Sequence, residues 1–234
     1  MYELSRSLFD ISNLTLEEMR EHAEDLDKLL GVDVFNIEQE LLKKAQAISP
    51  DGSHKTWGQT LHHGNQTWVG LSHQTLQTPY LEFKEMCDLL NPAPGTKVVD
   101  LGAGYGRMGI ILNLFFPEVH FLGHELVKER VDEGNRVLRI LNCHRAQLEM
   151  KDVAAEEYSV PKAEFYFIYD YGTIAHLKKT LAQLEEVAKD KNFKLIARGK
   201  GIVSLILYEH PWLSQVYDPI HRERYSIFSM SAQI

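Results

Sequence analysis

Apolar side chains in the first fifty residues recur every three or four positions, which is the spacing of one face of an amphipathic helix. The first stripe consists of Leu16, Met19, Ala23, Leu26 and Leu30. Thr15 and Glu18 have the spacing of a capping box at the start of this helix, and Gly31 is expected to end it. A second stripe, for which Asn36 is the predicted N-cap, consists of Ile37, Leu41, Ala45 and Ile48. Because each helix is apolar on one side only, both require a surface to cover.

From residue 81 onward, a helix is followed by short apolar runs, typical of buried strands, that alternate with stretches of helical periodicity. Strands are predicted at residues 97–101, 119–123, 145–150, 164–169 and 193–197. Helices are predicted at residues 81–90, 107–116, 127–141 and 174–188. Two last strands, at residues 212–220 and 225–231, flank a polar turn as in an antiparallel hairpin. This order predicts an α/β fold with a doubly wound, mostly parallel sheet that the hairpin closes.

The segment at residues 51–80, between these two regions, has little periodicity. Long irregular segments inside compact domains are often functional. We therefore divide the chain into residues 1–80, which comprise the N-terminal helices and a lid loop on the substrate side, and residues 81–234, which form the ligand-binding domain. The N-terminal part is expected to shape the substrate side of the site and to form no independent domain, because its two helices are too small to build a core of their own.

The lid loop carries aromatic and imidazole side chains, among them Trp57, Trp68 and His73. They are expected either to roof the site, where aromatic faces can hold a cation, or to anchor the loop in the core. The histidines of this region have no acid or cysteine beside them at the spacing of metal ligands, so no metal site is predicted. These histidines are His54, His62, His63 and His73.

The strand at residues 97–101 runs into a loop with three alternating glycines, Gly102, Gly104 and Gly106. Ligands of doubly wound sheets bind at the carboxyl ends of strands, so this loop should lie under a ligand. The spacing differs from the Gly-x-Gly-x-x-Gly of NAD-binding proteins. Asp100, two residues before the first glycine, would repel a pyrophosphate and attract a ligand that carries a cation. S-adenosylmethionine carries two, an ammonium and a sulfonium.

Two further acids follow the next two predicted strands. Glu125 ends the second strand and could accept hydrogen bonds from both hydroxyls of a ribose. Asp152 follows the third strand and could accept from the amino group of an adenine. Helix capping and loop solvation are the alternative roles for these acids. Their joint position at successive strand ends favours a nucleoside ligand.

Residues 76–234 resemble the class I S-adenosylmethionine-dependent methyltransferases. The likeness rests on Glu125 and on the first motif of that class, here Val99-Asp100-Leu101-Gly102-Ala103-Gly104-Tyr105-Gly106. The resemblance implies a seven-stranded sheet with an antiparallel last strand, to which the N-terminal helices are an extension. It also implies a set of cofactor-binding residues, namely Asp100, Gly102, Ala103, Gly104, Gly106, Arg107, Glu125, Asp152 and Asp170.

Within the class, the chain is similar to the small protein-lysine methyltransferases that lack a SET domain. The shared features are a short apolar fourth strand, the polar segment at residues 197–200 and the upstream run Gln77-Thr78-Pro79-Tyr80. The resemblance therefore implies transfer of a methyl group to a protein side chain, lysine among them, or to a small molecule. A protein that binds the cofactor without turnover is the alternative. Asp100 and the glycine spacing speak against a third reading, a nicotinamide-dependent reductase of related fold.

Candidate catalytic residues are Asp170 and Tyr171, after the fourth strand, and Tyr80, before the helix that precedes the glycine loop. The segment Asp170-Tyr171-Gly172-Thr173 lacks the two prolines found there in nucleic-acid amino methyltransferases, which speaks against methylation of adenine, cytosine or a glutamine amide. Asp170 or Tyr171 could orient a nucleophile or accept its proton, and Tyr80 could cover the cofactor. Asp170 could instead cap the next helix, and Tyr171 could serve packing alone.

Composition and charge limit the possible binding partners and the cellular location of the protein. With 25 basic and 33 acidic residues the net charge is −8, which leaves no general basic field for non-specific binding of nucleic acid. No apolar run reaches the roughly 18 residues that span a bilayer. The start, Met1-Tyr2-Glu3-Leu4, lacks the basic and apolar regions of a signal peptide, and the two cysteines, Cys87 and Cys143, are expected to be reduced helix thiols. A cytoplasmic location without a membrane partner is predicted.

Overall fold

A computed structural model of the protein describes residues 5–48, 69, 72–215 and 217–230. Within these residues seven strands form one sheet, in the spatial order third, second, first, fourth, fifth, seventh, sixth. The strands are β1 (Lys97–Leu101), β2 (His120–Glu125), β3 (Ala146–Met150), β4 (Phe165–Tyr169), β5 (Lys194–Arg198), β6 (Ile220–His221) and β7 (Tyr225–Ser229). The first five pair in parallel, whereas β7 runs antiparallel to β5 and to β6. The predicted doubly wound sheet with an antiparallel last strand is therefore confirmed.

Helices cover both faces of the sheet. They are α1 (Leu16–Leu30), α2 (Val34–Ile48), α3 (His73–Leu76), α4 (Tyr80–Leu90), α5 (Arg107–Phe115), α6 (Lys128–Ile140), α7 (Ile174–Ala188), α8 (Lys200–Glu209) and α9 (Pro211–Ser214), preceded by a 3₁₀ turn at Arg6–Phe9. The central strands β1, β4 and β5 are buried along most of their length, as expected for strands that are covered on both sides. None of the described helices is long and apolar enough to cross a bilayer.

The helix α1 shares one buried cluster with the sheet. Its apolar stripe, with Met19, Ala23 and Leu26 at 5% exposure or less, packs into the same core as residues of α4, α5 and β2. The capping box predicted at its start is present, because Thr15 accepts a hydrogen bond from the Glu18 N–H while the Glu18 carboxylate accepts from the Thr15 N–H. The helix gains its stability from this packing, since an isolated helix of this length is marginal in water.

Several predicted boundaries were wrong. The helix α2 begins at Val34, so Asn36 lies inside its first turn, where its side chain donates to Asp33 Oδ1 at 2.8 Å. Both cysteines are free and buried, but Cys143 lies beyond the end of α6.

The strand predicted at residues 212–220 is mostly absent. Ile220 and His221 alone pair with β7, and α9 occupies the beginning of the predicted strand. The sequence before it forms α8, which the strand prediction overlooked. Its residues Ile202, Leu205 and Ile206 have the spacing of a buried helical face and pack in the same cluster as β5. The short hairpin therefore closes the sheet, as expected, with far fewer paired residues.

Candidate functional site

A cavity of about 320 Å³ lies at the carboxyl ends of the first four strands. In the sheet, β1 has β2 on one side and β4 on the other, so the order of the strands reverses at β1. Doubly wound sheets bind their ligands at such a reversal. The predicted site residues that line it are Asp100, Gly102, Ala103, Gly104, Arg107, Glu125, Asp152, Asp170 and Tyr171. Gly106 and Tyr80 are not among its lining residues.

The glycine loop follows β1, and its glycines adopt positive φ angles. Gly102 has φ +94° and Gly104 has φ +55°, which side chains with a Cβ rarely adopt. The N–H groups of Gly102 and Ala103 both donate to the His124 carbonyl at 2.9 Å, and the Gly104 N–H donates to Glu125 Oε2 at 3.0 Å. The loop is thus pinned to the end of β2. A Cβ built on Gly104 meets no atom within 4 Å, so a ligand can approach its backbone.

Asp100 points an uncompensated carboxylate at this cavity. Its side chain is 2% exposed, and its Oδ1 is buried without a hydrogen-bond partner. Burial, together with the negative charge of Glu125, raises the pKa of Asp100 well above its ordinary value. A buried carboxylate of this kind is costly in the ligand-free protein. A cation bound beside it would remove that cost.

Glu125 is held at the end of β2 with acceptor capacity remaining. Its Oε2 accepts from the Gly104 N–H at 3.0 Å and its Oε1 from the Val127 N–H at 2.9 Å. An ionised carboxylate offers about four acceptor positions, so two ribose hydroxyls could share it with the backbone. Asp152 lies farther along the cavity, where its Oδ1 accepts from the Ala154 N–H at 2.9 Å.

Asp170 and Tyr171 both line the cavity, but their polar atoms are already engaged. Asp170 accepts from the Gly201 N–H at 3.0 Å and from the Ile202 N–H at 2.7 Å, so it caps α8 rather than the next helix. The Tyr171 hydroxyl hydrogen-bonds to the Thr180 hydroxyl, and burial raises the pKa of Tyr171 to about 12. These contacts give Asp170 a capping role at α8 and Tyr171 a packing role. A carboxylate that accepts two N–H groups keeps further acceptor positions, so the role of Asp170 as a proton acceptor stays a prediction.

Tyr80 and Arg107 serve a buried network behind the glycine loop. Tyr80 is fully buried, its hydroxyl donates to Asp27 Oδ1 at 2.8 Å, and the Arg107 guanidinium lies 5.0 Å from its ring centre. Arg107 also donates to Asp27 Oδ2 and, at 3.2 Å, to Gln74 Oε1. The expected contact of Tyr80 with a ligand is therefore not found, because this tyrosine faces α1.

A wall of the cavity comes from a residue that the sequence did not single out. Glu38 of α2 lines the cavity, is 8% exposed and accepts from Arg130 at 2.8 and 3.0 Å in a bidentate pair. It also accepts from the hydroxyl of Tyr105, within the glycine loop, at 2.9 Å. Arg130 Nη1 in turn lies 3.8 Å from Glu125 Oε1. The partners of Glu38 are distant in the sequence, so no local sequence pattern predicts these contacts.

Most of the lid-loop residues singled out in the sequence lie outside the part of the chain that the structure describes. These are the predicted roof residues Trp57 and Trp68 and three of the histidines considered for metal binding, His54, His62 and His63. The backbone of His73 begins α3. Among the described residues, no group of three histidines, cysteines or acids could hold a metal ion.

Comparisons with known proteins agree with this architecture. No protein-family model matches the chain. A stretch of 103 residues is 29% identical to ribosomal RNA small subunit methyltransferase G of Mesoplasma florum. The matched stretch covers 44% of this chain and 43% of that protein. The match thus spans less than half the length of the curated relative.

Two solved structures resemble most of the sheet and its helices. One is an RNA methyltransferase from Salinibacter ruber in complex with S-adenosyl-L-homocysteine, with a TM-score of 0.50, 13% identity and coverage of 68% of this chain and 95% of that one. The other is precorrin-6y C5,15-methyltransferase from Geobacter metallireducens, with a TM-score of 0.52, 13% identity and coverage of 69% and 94%. Together with the strand order, these likenesses show that the chain has the Rossmann-like fold of the class I S-adenosylmethionine-dependent methyltransferases.

Proposed function

We propose that the protein is an S-adenosylmethionine-dependent methyltransferase whose cofactor occupies the cavity beside the glycine loop. The observation that carries the proposal is Asp100, a buried carboxylate with an unpaired oxygen at the end of β1. A ligand with an ammonium and a sulfonium supplies the missing positive charge, whereas a pyrophosphate would add a second negative one. The residues present therefore fit this cofactor.

The cavity offers a separate contact to each part of such a ligand. Asp100 and the backbone of the glycine loop face the charged amino-acid part. Glu125, at the end of β2, accepts from the ribose hydroxyls, and Asp152, after β3, accepts from the adenine amino group. The ligand would lie along the strand ends from β3 to β1, with its sulfur end toward β4.

The bound cofactor supplies an electrophilic methyl group, so the protein has to align the nucleophile and exclude water. Asp170 and Tyr171 shape the end of β4. Asp170 fixes α8 through its two backbone contacts, and Tyr171 packs on Gly102, where an added Cβ would lie 3.4 Å from the tyrosine Cβ. An unperturbed lysine, with a pKa of about 10.4, is protonated at neutral pH and has no lone pair for attack. An amine acceptor must therefore lose this proton before the methyl group is transferred.

The acceptor is a protein side chain or a small molecule in this proposal. A volume of about 320 Å³ lies at the lower end of the range for small-molecule sites, so the cofactor fills most of it. The reacting group of the acceptor then enters beside Tyr169, which ends β4, and beside Gly172 and His176, which follow it. We assign residues 1–80 to this acceptor side and residues 81–234 to the cofactor. Glu38 is the exception, since its pair with Arg130 places it near Glu125.

Two measurements test the proposal in turn. Calorimetry should show binding of S-adenosylmethionine and S-adenosylhomocysteine and no binding of NAD or NADP. A cell lysate supplied with labelled S-adenosylmethionine should then show enzyme-dependent label, and fractionation into protein, RNA and small molecules identifies the acceptor class. Cofactor binding without any transferred label would instead indicate a binding protein without turnover.

Replacing Glu125 with glutamine should weaken cofactor binding by about 1–3 kcal/mol, the range for the loss of charge-assisted hydrogen bonds. The backbone contacts of Glu125 can be kept in part by the amide oxygen, so the fold should persist. Calorimetry with S-adenosylhomocysteine and its 2′,3′-dideoxy analogue locates the contact. Removal of the hydroxyls should cost the variant less affinity than it costs the wild type, and equal losses would place Glu125 away from the ribose.

Cofactor affinity should rise with pH. Because the pKa of Asp100 is raised in the ligand-free protein, the carboxyl must lose a proton before it can pair with the cation. Affinity should therefore increase up to about tenfold per pH unit while Asp100 is protonated and level off once it is ionised. Calorimetry from about pH 5.5 to 7.5 checks this slope. Methylthioadenosine, which lacks both cations, is the control ligand, and the same slope for it would contradict the assignment.

A further inference from the structure

Two side-chain oxygens among the described residues are buried without a hydrogen-bond partner, and both belong to the cavity. They are Asp100 Oδ1 and Gln77 Oε1. Asp100 is accounted for by the cationic part of the cofactor. The amide oxygen of Gln77 lacks a partner as well, and a buried acceptor without a partner is rare enough to suggest a missing donor.

Gln77 lines the cavity, and the backbone on both sides of it is fixed by hydrogen bonds. Two residues before it, the Thr75 carbonyl accepts from the hydroxyl of Tyr169, the last residue of β4, at 3.2 Å. One residue after it, the Thr78 carbonyl accepts from Arg107 Nη1, directly behind the glycine loop, at 3.4 Å. Gln77 therefore lies on the cavity wall, between a contact to the end of β4 and a contact to the start of α5. On the proposed function, the sulfur end of the cofactor points toward β4 and thus toward this wall.

From these positions we infer that Gln77 binds the methyl acceptor and that the acceptor is an amine. The inference rests on the proposed function of the cavity. An amide oxygen accepts a hydrogen bond but takes no proton at neutral pH, so it suits a nucleophile that carries a hydrogen and needs no base for attack. An uncharged amine meets both conditions. A hydroxyl would need a base, and the amide of Gln77 cannot supply one.

The transfer step is balanced without a protein base. The nitrogen lone pair forms the new bond to the methyl carbon, and the bond from that carbon to sulfur breaks with its electron pair on sulfur. The nitrogen is then a charged ammonium, whose proton leaves to water. Gln77 holds one N–H throughout, so that the lone pair points at the methyl carbon. Gln77 is thus a positioning residue for the acceptor as well as its binding contact.

Sinefungin tests this inference without a known acceptor, because it carries an amine on carbon where S-adenosylmethionine carries its methyl sulfonium. If Gln77 faces the transfer point, the wild type should bind sinefungin about tenfold more tightly than S-adenosylhomocysteine. Gln77→Met keeps the length of the side chain but removes the amide. This variant should lose about tenfold in affinity for sinefungin while its affinity for S-adenosylhomocysteine is unchanged.

Gln77→Glu is the matched control, since a carboxylate of the same shape still accepts from the amine and should retain the preference for sinefungin. A melting curve of each variant establishes that it folds. Equal loss of both ligands in Gln77→Met would make Gln77 a contact of their common part, and no loss would place it away from the transfer point. Either result overturns the inference. A wild type that binds neither ligand would refute the proposed function itself.

Discussion

Replacing Asp100 with asparagine is expected to abolish measurable binding of S-adenosylmethionine while making the ligand-free protein more stable. The carboxylate is buried, and burial together with Glu125 raises its pKa, so its charge is unfavourable in the folded state. A group whose pKa is raised on folding costs stability at pH values above its unfolded pKa. Removing that charge should therefore stabilise the protein at neutral pH by about 1–3 kcal/mol, because a neutral amide costs less to bury than a carboxylate.

The opposite signs of these two effects make the experiment decisive. Calorimetry measures the affinity, and urea unfolding of the ligand-free protein measures the stability. Methylthioadenosine, which lacks the ammonium and the sulfonium, should bind Asp100→Asn as well as it binds the wild type. A variant that loses affinity for both ligands, or that is less stable than the wild type, would show that Asp100 supports the loop instead of pairing with a cation.

The parallel core of the fold could be predicted from the sequence because its signals are local. Strand β1 is a buried apolar run, and the prediction of residues 97–101 matched it at both ends. The glycine loop needs positive φ angles at Gly102, Gly104 and Gly106, which is a property of glycine itself. The position of Asp100 and Glu125 at strand ends followed from these assignments. Local signals therefore predicted that these two acids lie at one end of the sheet, where both line the cavity.

The roles of individual polar residues could not be predicted, because their partners are distant in the sequence. The sequence offers Asp170 as a cap of the next helix, α7, whereas its oxygens accept from the start of α8, which begins thirty residues later and was not predicted. The sequence also offers Tyr80 as a cover for a ligand, yet its hydroxyl donates to Asp27 of α1. Gln77 belongs to the run at residues 77–80, which does not set it apart from its neighbours. The missing partner of its oxygen appears only in the structure.

The same long-range pairing fixes the N-terminal helices to the glycine loop. Asp27 of α1 is 4% exposed and binds both Arg107, the first residue after the loop, and Tyr80. Glu38 of α2 is bound to Tyr105 within the loop and to Arg130. Two buried anchors therefore join residues 16–48 to the cofactor cavity. This arrangement differs from a cover that rests on the sheet through apolar contacts alone.

Asp27→Ala should accordingly destabilise the protein by about 3–5 kcal/mol, because it leaves the Arg107 guanidinium buried without its carboxylate. Asp25→Ala, on the exposed side of the same helix and paired only with Lys28 at 3.3 Å, is the matched control and should change the unfolding midpoint in urea very little. A double variant, Asp27→Leu with Arg107→Met, should recover much of the loss, since it removes both charges together. Equal effects of Asp27→Ala and Asp25→Ala would mean that apolar packing alone holds α1, and the glycine loop would then be independent of the N-terminal helices.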